Sequence, residues 1–359
     1  MFSEGYEPAM VRTGYEQMVA HRVDDLYATT AKDDGTVVQV TDEAITIAYK
    51  NGTSKSIQLG RRFGTVAGTM FPHNVVTPLK AGDKFKVGEP IAYNTNYFQI
   101  DPLNPKFLLM KTGILAKTAL LESTDTLEDS SVISERLANK LGTKITKVRD
   151  IVVTFDQKLH SLVKVGQKLE ADDILCTIED AVTADNELFD ENSIDTLRLL
   201  GSQTPRAKYE GLVEKVEVFY NGDLEDMSES IRAVAVAADK ARTKFAKGMN
   251  KTVLTGQVDS SLRIGGNPLN LDSMAIRVYI TSNIGTGVGD KGVFANQMKT
   301  IFGRVMSGEN RTESGEDLDA IFGYTSISNR IVLSPDLIGT TTTLLKVIAK
   351  QAVKVYKGS

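Results

Sequence analysis

Lys291 closes the run Gly285-Thr286-Gly287-Val288-Gly289-Asp290-Lys291, and Lys299 follows it by eight residues. Two lysines on a glycine-punctuated turn can hold a phosphate backbone from two directions, each as a point charge. A P-loop would need Gly-x4-Gly-Lys-Ser/Thr. Here Asp290 separates Gly289 from Lys291, and Gly292 takes the Ser/Thr place, which excludes a nucleoside triphosphatase of that type. Upstream, Glu128 and Asp129 precede a stretch with helical periodicity. Such a pair can cap a helix and complement its dipole. It can also hold a hydrated Mg²⁺, a hard cation that takes oxygen ligands and keeps waters. Taken singly, solvated surface lysines and a plain helix cap explain both clusters.

The elements that must carry these residues are mostly strands. Gly35–Val40, Ala44–Tyr49, Ile151–Phe155, Gly211–Tyr220 and Ala275–Ile280 are short alternating or apolar runs bounded by turn residues. Asn51-Gly52 and Asn221-Gly222-Asp223 follow strands directly and read as hairpin turns. Helical spacing predicts helices over Val132–Leu141 (capped by Asp129 or Ser130, stopped by Gly142), Met227–Lys247 and Thr341–Tyr356. A weak repeat is visible: Pro78–Ala92 parallels Leu162–Leu175, each reading apolar, Lys, small, Gly, polar, Lys, apolar. Small carrier barrels use this phrase, but it is also a recurrent β-turn solution. Polar stretches near 181–207 and 306–318 read as surface loops, with a domain edge near 205.

Composition narrows the classes. At 359 residues the chain should form two or three domains. No run of eighteen apolar residues suggests a membrane span, and the N-terminus lacks a signal-peptide pattern. One cysteine, Cys176, excludes an internal disulfide framework, and His21, His73 and His160 are too scattered for a transition-metal site. The net charge of −4 is unlike that of a protein that grips duplex DNA unaided, since such binding comes from neutralising phosphates. Any nucleic-acid contact should be local and shared with partners.

Collinearity joins the clusters. Pro8–Glu16 is similar to the phrase Pro-x-Val-Gly-Thr-Gly-Met-Glu of the β subunit of bacterial-type multisubunit RNA polymerase. Then come Ala31-Lys32-Asp33-Asp34-Gly35, the Lys80–Lys84 segment, and Gly113–Glu122 leading into Glu128-Asp129-Ser130-Ser131-Val132-Ile133-Ser134-Glu135-Arg136-Leu137, the most specific match. Lys164–Leu175 and Gly211–Phe219 resemble the family's flap region. Gly289-Asp290-Lys291 with Lys299 resembles its Gly-Asp-Lys…Gly-Asn-Lys signature at the same spacing. Glu316–Asp319 and Leu333–Gly339 fall where later family phrases stand, so the resemblance spans nearly the whole chain.

That resemblance implies a mainly β, α+β protein. It would have a β-rich N-terminal module (1–100), a double-psi β-barrel from 101–142 and 275–359, and a flap-like insertion at 143–274, with small barrel or hammerhead-like modules. It implies that Lys291 and Lys299 contact phosphates of the RNA 3′ end and incoming nucleoside triphosphate. Glu128 and Asp129 would lie near a second Mg²⁺, largely through water. The catalytic Mg²⁺ would be held by a β′-like partner chain, because this sequence lacks the Asn-Ala-Asp-Phe-Asp-Gly-Asp motif. Other implied partners are a separate β N-terminal chain, template DNA, RNA and a specificity factor at the flap-like region, in a bacterial host's cytoplasm or a phage virion. The departures matter too. The family's Arg-His-Gly-Asn-Lys reads Ala295-Asn296-Gln297-Met298-Lys299, and Pro335 stands in a phrase that carries arginine in the family. Shortening and divergence look most like a split, phage-encoded β subunit. The alternative is a non-catalytic barrel kept as a scaffold or virion component.

Overall fold

The computed structural model describes residues 5–180, 203–249, 252, 255–330 and 333–358. The polar stretch expected near 181–207 therefore lies mostly outside the described residues, as do both ends of the chain.

The fold is mainly β. Its centre is an eight-stranded sheet in which Thr143–Thr154 and Ser273–Ile284 pair antiparallel along their whole length, with Gly211–Asn221 on the far side of the latter. Alternation decides the faces. Ile276, Val278 and Ile280 are buried with Ile151, Val153, Val213 and Val218, and the helix Glu229–Gly248 lays Ile231 and Ala235 onto them. Each fully buried side chain of that size is worth about 2 kcal/mol. The intervening residues point the other way into a polar layer, where Arg277 Nε donates to Asp150 Oδ1 at 2.8 Å and Tyr279 OH to Glu217 Oε2 at 2.6 Å.

An N-terminal four-stranded sheet, ordered Ser54–Gln58, Ala44–Tyr49, Gly35–Val40, Lys84–Phe85, encloses Val37, Ile45, Ile47 and Phe85. The Asn51-Gly52 turn closes its hairpin as expected, with Gly52 at φ 85° and Asn51 Oδ1 accepting from Thr53 N. The two halves of the sequence repeat fold alike. Gly82 and Gly166 sit at φ 89° and 90°, and Gly88 and Asp172 at 85° and 71°. The left-handed region is open to glycine and strained by roughly 1 kcal/mol for Asp172. Phe85 then pairs with Gly35, and Leu169 with Gly211. The partner strand precedes the phrase in the first copy and follows it in the second.

The third sheet positions the candidate site. Its order is Thr118–Leu120, Ala320–Phe322, Ser130–Ser134, Met298–Met306, Lys291–Phe294. Thr118–Leu120 runs parallel to Ala320–Phe322, and Ser130–Ser134 parallel to Met298–Met306. Ala320–Phe322 is thus inserted between two strands joined by a short connection. Ile133, Leu137, Phe302 and Ala320 form the core beneath.

Three expectations need correction. Val132 and Ile133 belong to a strand, and the helix is shorter, Glu135–Leu141, capped by Ser134, whose Oγ accepts from Leu137 N at 3.2 Å. Two β-branched residues fit a pleated surface better than a helix turn, and here they find a strand to pair with. Asn221-Gly222-Asp223 makes no hairpin. The chain runs on through a 3₁₀ turn into the helix Glu229–Gly248, while Asn221 pairs with Ser273. The last helix begins at Ser334, about two turns earlier than expected, with Pro335 in its first turn, where a missing N–H costs nothing. No helix among the described residues is long and apolar enough to cross a membrane.

Candidate functional site

Lys291 and Lys299 stand on the two strands of one hairpin, not on a loose loop. Lys291 faces Ile301 across it and Val293 faces Lys299, and all four are exposed. Both lysines therefore project from the same face as diagonal neighbours, about 7–8 Å apart at the backbone. Neither ammonium is ion-paired among the described residues. The opposite face is buried through Met298, Thr300 and Phe302, and Gly292 lies directly under the Phe302 ring, leaving no room for a side chain.

The approach to the hairpin explains the aspartate that broke the P-loop pattern. Asp290 Oδ2 accepts from Gly287 N at 2.9 Å, Gly289 N donates to Phe302 O at 2.8 Å, and Phe302 N to Asp290 O at 2.9 Å. Asp290 thus holds the turn that delivers Lys291. At the other end the hairpin turns in three residues, with Ala295 at φ 47° and Gln297 at 61°. Left-handed backbone costs a non-glycine residue about 1–2 kcal/mol. Gln297 thus holds a backbone conformation that glycine would adopt without strain.

Glu128 and Asp129 sit in the turn ahead of Ser130–Ser134, not at a helix start. Glu128 is itself left-handed, at φ 54°, and its carbonyl accepts a hydrogen bond from Ser326 Oγ. Asp129 O receives Ile301 N at 2.9 Å and Thr300 Oγ1 at 2.8 Å, so the acidic turn is bonded to the strand that carries Lys299. Just before it, Glu122 Oε1 accepts from Thr325 N at 2.5 Å, and this backbone bond holds the Glu122 carboxyl below its ordinary range.

Arg330 ties the two clusters together. Its Nη1 donates to Gln297 O at 2.8 Å and its Nη2 to Lys299 O at 3.0 Å, and Nη2 also pairs with Asp129 Oδ1. The structure thus brings Asp129, Lys299 and Lys291 to one end of one sheet. Glu128 joins them through the backbone, its carboxylate exposed and without a partner among the described residues. The hairpin tip also meets the start of the last helix: Asn296 Oδ1 accepts from Ser334 Oγ at 3.0 Å, beside buried Pro335.

Sequence reasoning missed Arg330 and the role of Arg136. Arg136 Nε and Nη2 donate to Asp319 Oδ1 at 3.0 and 2.6 Å, while Asp319 Oδ2 accepts from Lys117 N at 2.8 Å. This pair locks Ala320–Phe322 into the sheet, which gives the arginine of the Glu-Asp-Ser phrase a structural use. Only the recurrence of Arg and Asp near the clusters hinted at either contact.

As a Mg²⁺ site the acidic turn offers two exposed carboxylates, one already paired with arginine. No group of three metal-ligating side chains occurs among the described residues. Mg²⁺ asks for six oxygens in octahedral array. The donor set fits contact through bound water and a cation held mainly by other groups. No model of a known protein family matches the sequence.

Proposed function

We propose that the chain is a β-like subunit, corresponding to the C-terminal part, of a multisubunit DNA-dependent RNA polymerase, and that it works with a β′-like chain. It would help transfer a nucleoside monophosphate to an RNA 3′ hydroxyl with release of pyrophosphate. The observation that carries the reading is the convergence at one sheet end of two lysines, neither ion-paired among the described residues, and the Glu128-Asp129 turn. These are the groups that phosphoryl chemistry needs around developing negative charge.

In this reading the strand inserted between two connected strands, together with the parallel crossings, belongs to a double-psi β-barrel. Lys291 and Lys299 hold phosphate oxygens of the transcript end and the incoming nucleotide. Glu128, with Asp129 behind it, orients waters around a second Mg²⁺ that the partner and the nucleotide chiefly hold. When bound, Mg²⁺ supplies charge neutralisation at the phosphates. The flap-like segment 143–274 is the natural docking place for a specificity factor, and the separate β N-terminal chain, DNA and RNA complete the assembly.

The test is elongation by the assembled enzyme. Lys291→Ala and Lys299→Ala should each slow nucleotide addition by about a hundredfold, the usual scale for losing one preorganised charge-stabilising group, without preventing assembly. Normal elongation by both variants would reject the assignment.

A further inference from the structure

We infer that Arg330 is a positioning residue that clamps the lysine hairpin to the acidic turn and divides the work of the two carboxylates. One planar guanidinium reaches three oxygens from two separate parts of the chain: Gln297 O, Lys299 O and Asp129 Oδ1. The first two lie on the hairpin whose tip residues Ala295 and Gln297 are held in left-handed backbone. The third belongs to the turn that also contains left-handed Glu128. Below the tip, Ile301 N and Thr300 Oγ1 already bond Asp129 O. Arg330 extends that attachment to the residues that set where the Lys299 side chain begins.

Two consequences follow from the geometry. The Lys299 backbone cannot shift relative to the acidic turn without breaking charge-assisted bonds, so the spacing between the cationic and anionic halves of the site is fixed before any ligand arrives. The Asp129 carboxylate is also committed to Arg330, whose side chain is only 24% exposed, while Asp129 is 67% exposed. Glu128 is then the carboxylate left to orient metal-bound water, and Asp129 is the anchor. Lysine can replace the clamp only in part, because a single ammonium lacks the rigid fork that spans three acceptors.

The clamp itself stands on the contacts alone, and its catalytic consequence rests on the polymerase reading. The experiment separates the two. Amide hydrogen exchange is measured on the full-length chain and on Arg330→Ala, Arg330→Lys, Asp129→Asn and the Arg330→Ala/Asp129→Asn double variant. In parallel, kcat and KM for nucleotide addition are measured in the assembled enzyme. Arg330→Ala should speed exchange over 295–300 by about tenfold, the scale of one lost charged hydrogen bond, while exchange in Ser273–Ile284 stays unchanged as a check on folding. Arg330→Lys should recover only part of that protection. The double variant should match Arg330→Ala, because both changes cut the same link. Nucleotide addition should fall with hairpin protection and be partly restored by lysine. Unchanged exchange over 295–300 in Arg330→Ala, or additive effects in the double variant, would overturn the clamp. Increased exchange alongside indifference of nucleotide addition to Lys291→Ala and Lys299→Ala would support the clamp and overturn the polymerase reading.

Discussion

Acidification should loosen the N-terminal part of the molecule through His73. This residue is 2% exposed, stacked on Tyr97 with ring centroids 5.9 Å apart, and bonded at Nδ1 to Asn94 Nδ2 at 2.9 Å. With Asn94 donating, Nδ1 is an acceptor and the imidazole is neutral. Burial, with added repulsion from Arg62 and Arg61, lowers its pKa from 6.5 to about 4. Between those values the unfolded chain takes up a proton that the folded chain refuses. Stability present above pH 6.5 is therefore lost as pH falls toward 4, by up to about 3 kcal/mol in all, because each pKa unit is worth about 1.4 kcal/mol. The assay is urea unfolding at several values across that window for the native chain and for His73→Gln, which accepts and donates hydrogen bonds without titrating. The variant should be less stable at neutral pH but flatter with pH, the difference in slope approaching about 1.4 kcal/mol per pH unit. Histidine resonances, with His73 assigned by its loss in the variant, give the pKa directly. A His73 pKa at or above 6.5, or identical pH slopes in the two proteins, would refute the reasoning.

Other consequences are local to the hairpin. Gln297→Gly should raise stability by about 0.5–1 kcal/mol, because relief of left-handed strain outweighs the added freedom of the unfolded chain. A higher urea midpoint for unfolding of the hairpin sheet checks it, and a lower one would mean that Gln297 is held by contacts stronger than its strain. Gly292→Ala should do the reverse, destabilising by about 1–3 kcal/mol as the new methyl meets the Phe302 ring. Unfolding followed through that sheet measures the loss. Arg136→Ala should destabilise by about 3 kcal/mol, since it strands the nearly buried Asp319 carboxylate, and Arg136→Ala/Asp319→Asn should be milder than the single change. A double-mutant cycle read by urea unfolding shows the coupling.

Legibility followed sequence distance. Gly35–Val40 and Ala44–Tyr49 were readable to the residue because alternation and the Asn51-Gly52 turn are local signals. Gly211–Asn221 and Ser273–Ile284 were readable as strands, though Ser273–Ile284 runs on at both ends because a strand of equal length pairs with it. Val132–Ser134, the end of a strand, was misread as the start of a helix because Ile133, Leu137 and Leu141 fit helical spacing equally well. What decides is pairing with Arg304 and Val305 far along the chain. The same limit governs the site. Lys291, Lys299, Glu128 and Asp129 stood out by residue type and spacing. Their junction did not, since Arg330 lies 201 residues from Asp129 and nothing beside it in sequence announces three acceptors. Gln297 in a left-handed turn was hidden for the opposite reason, because the residue type argues against the conformation it adopts.

In the proposed function these lysines serve template-directed RNA synthesis beside another chain's metal site. The most direct measurement isolates the tagged chain from its native source, identifies what copurifies, and tests the preparation for template-dependent incorporation of nucleoside monophosphates. A large companion chain bearing an Asp-x-Asp-x-Asp motif should copurify, and incorporation should collapse with Lys299→Ala. A chain that emerges alone or with capsid proteins only, with no incorporation to lose, would contradict it.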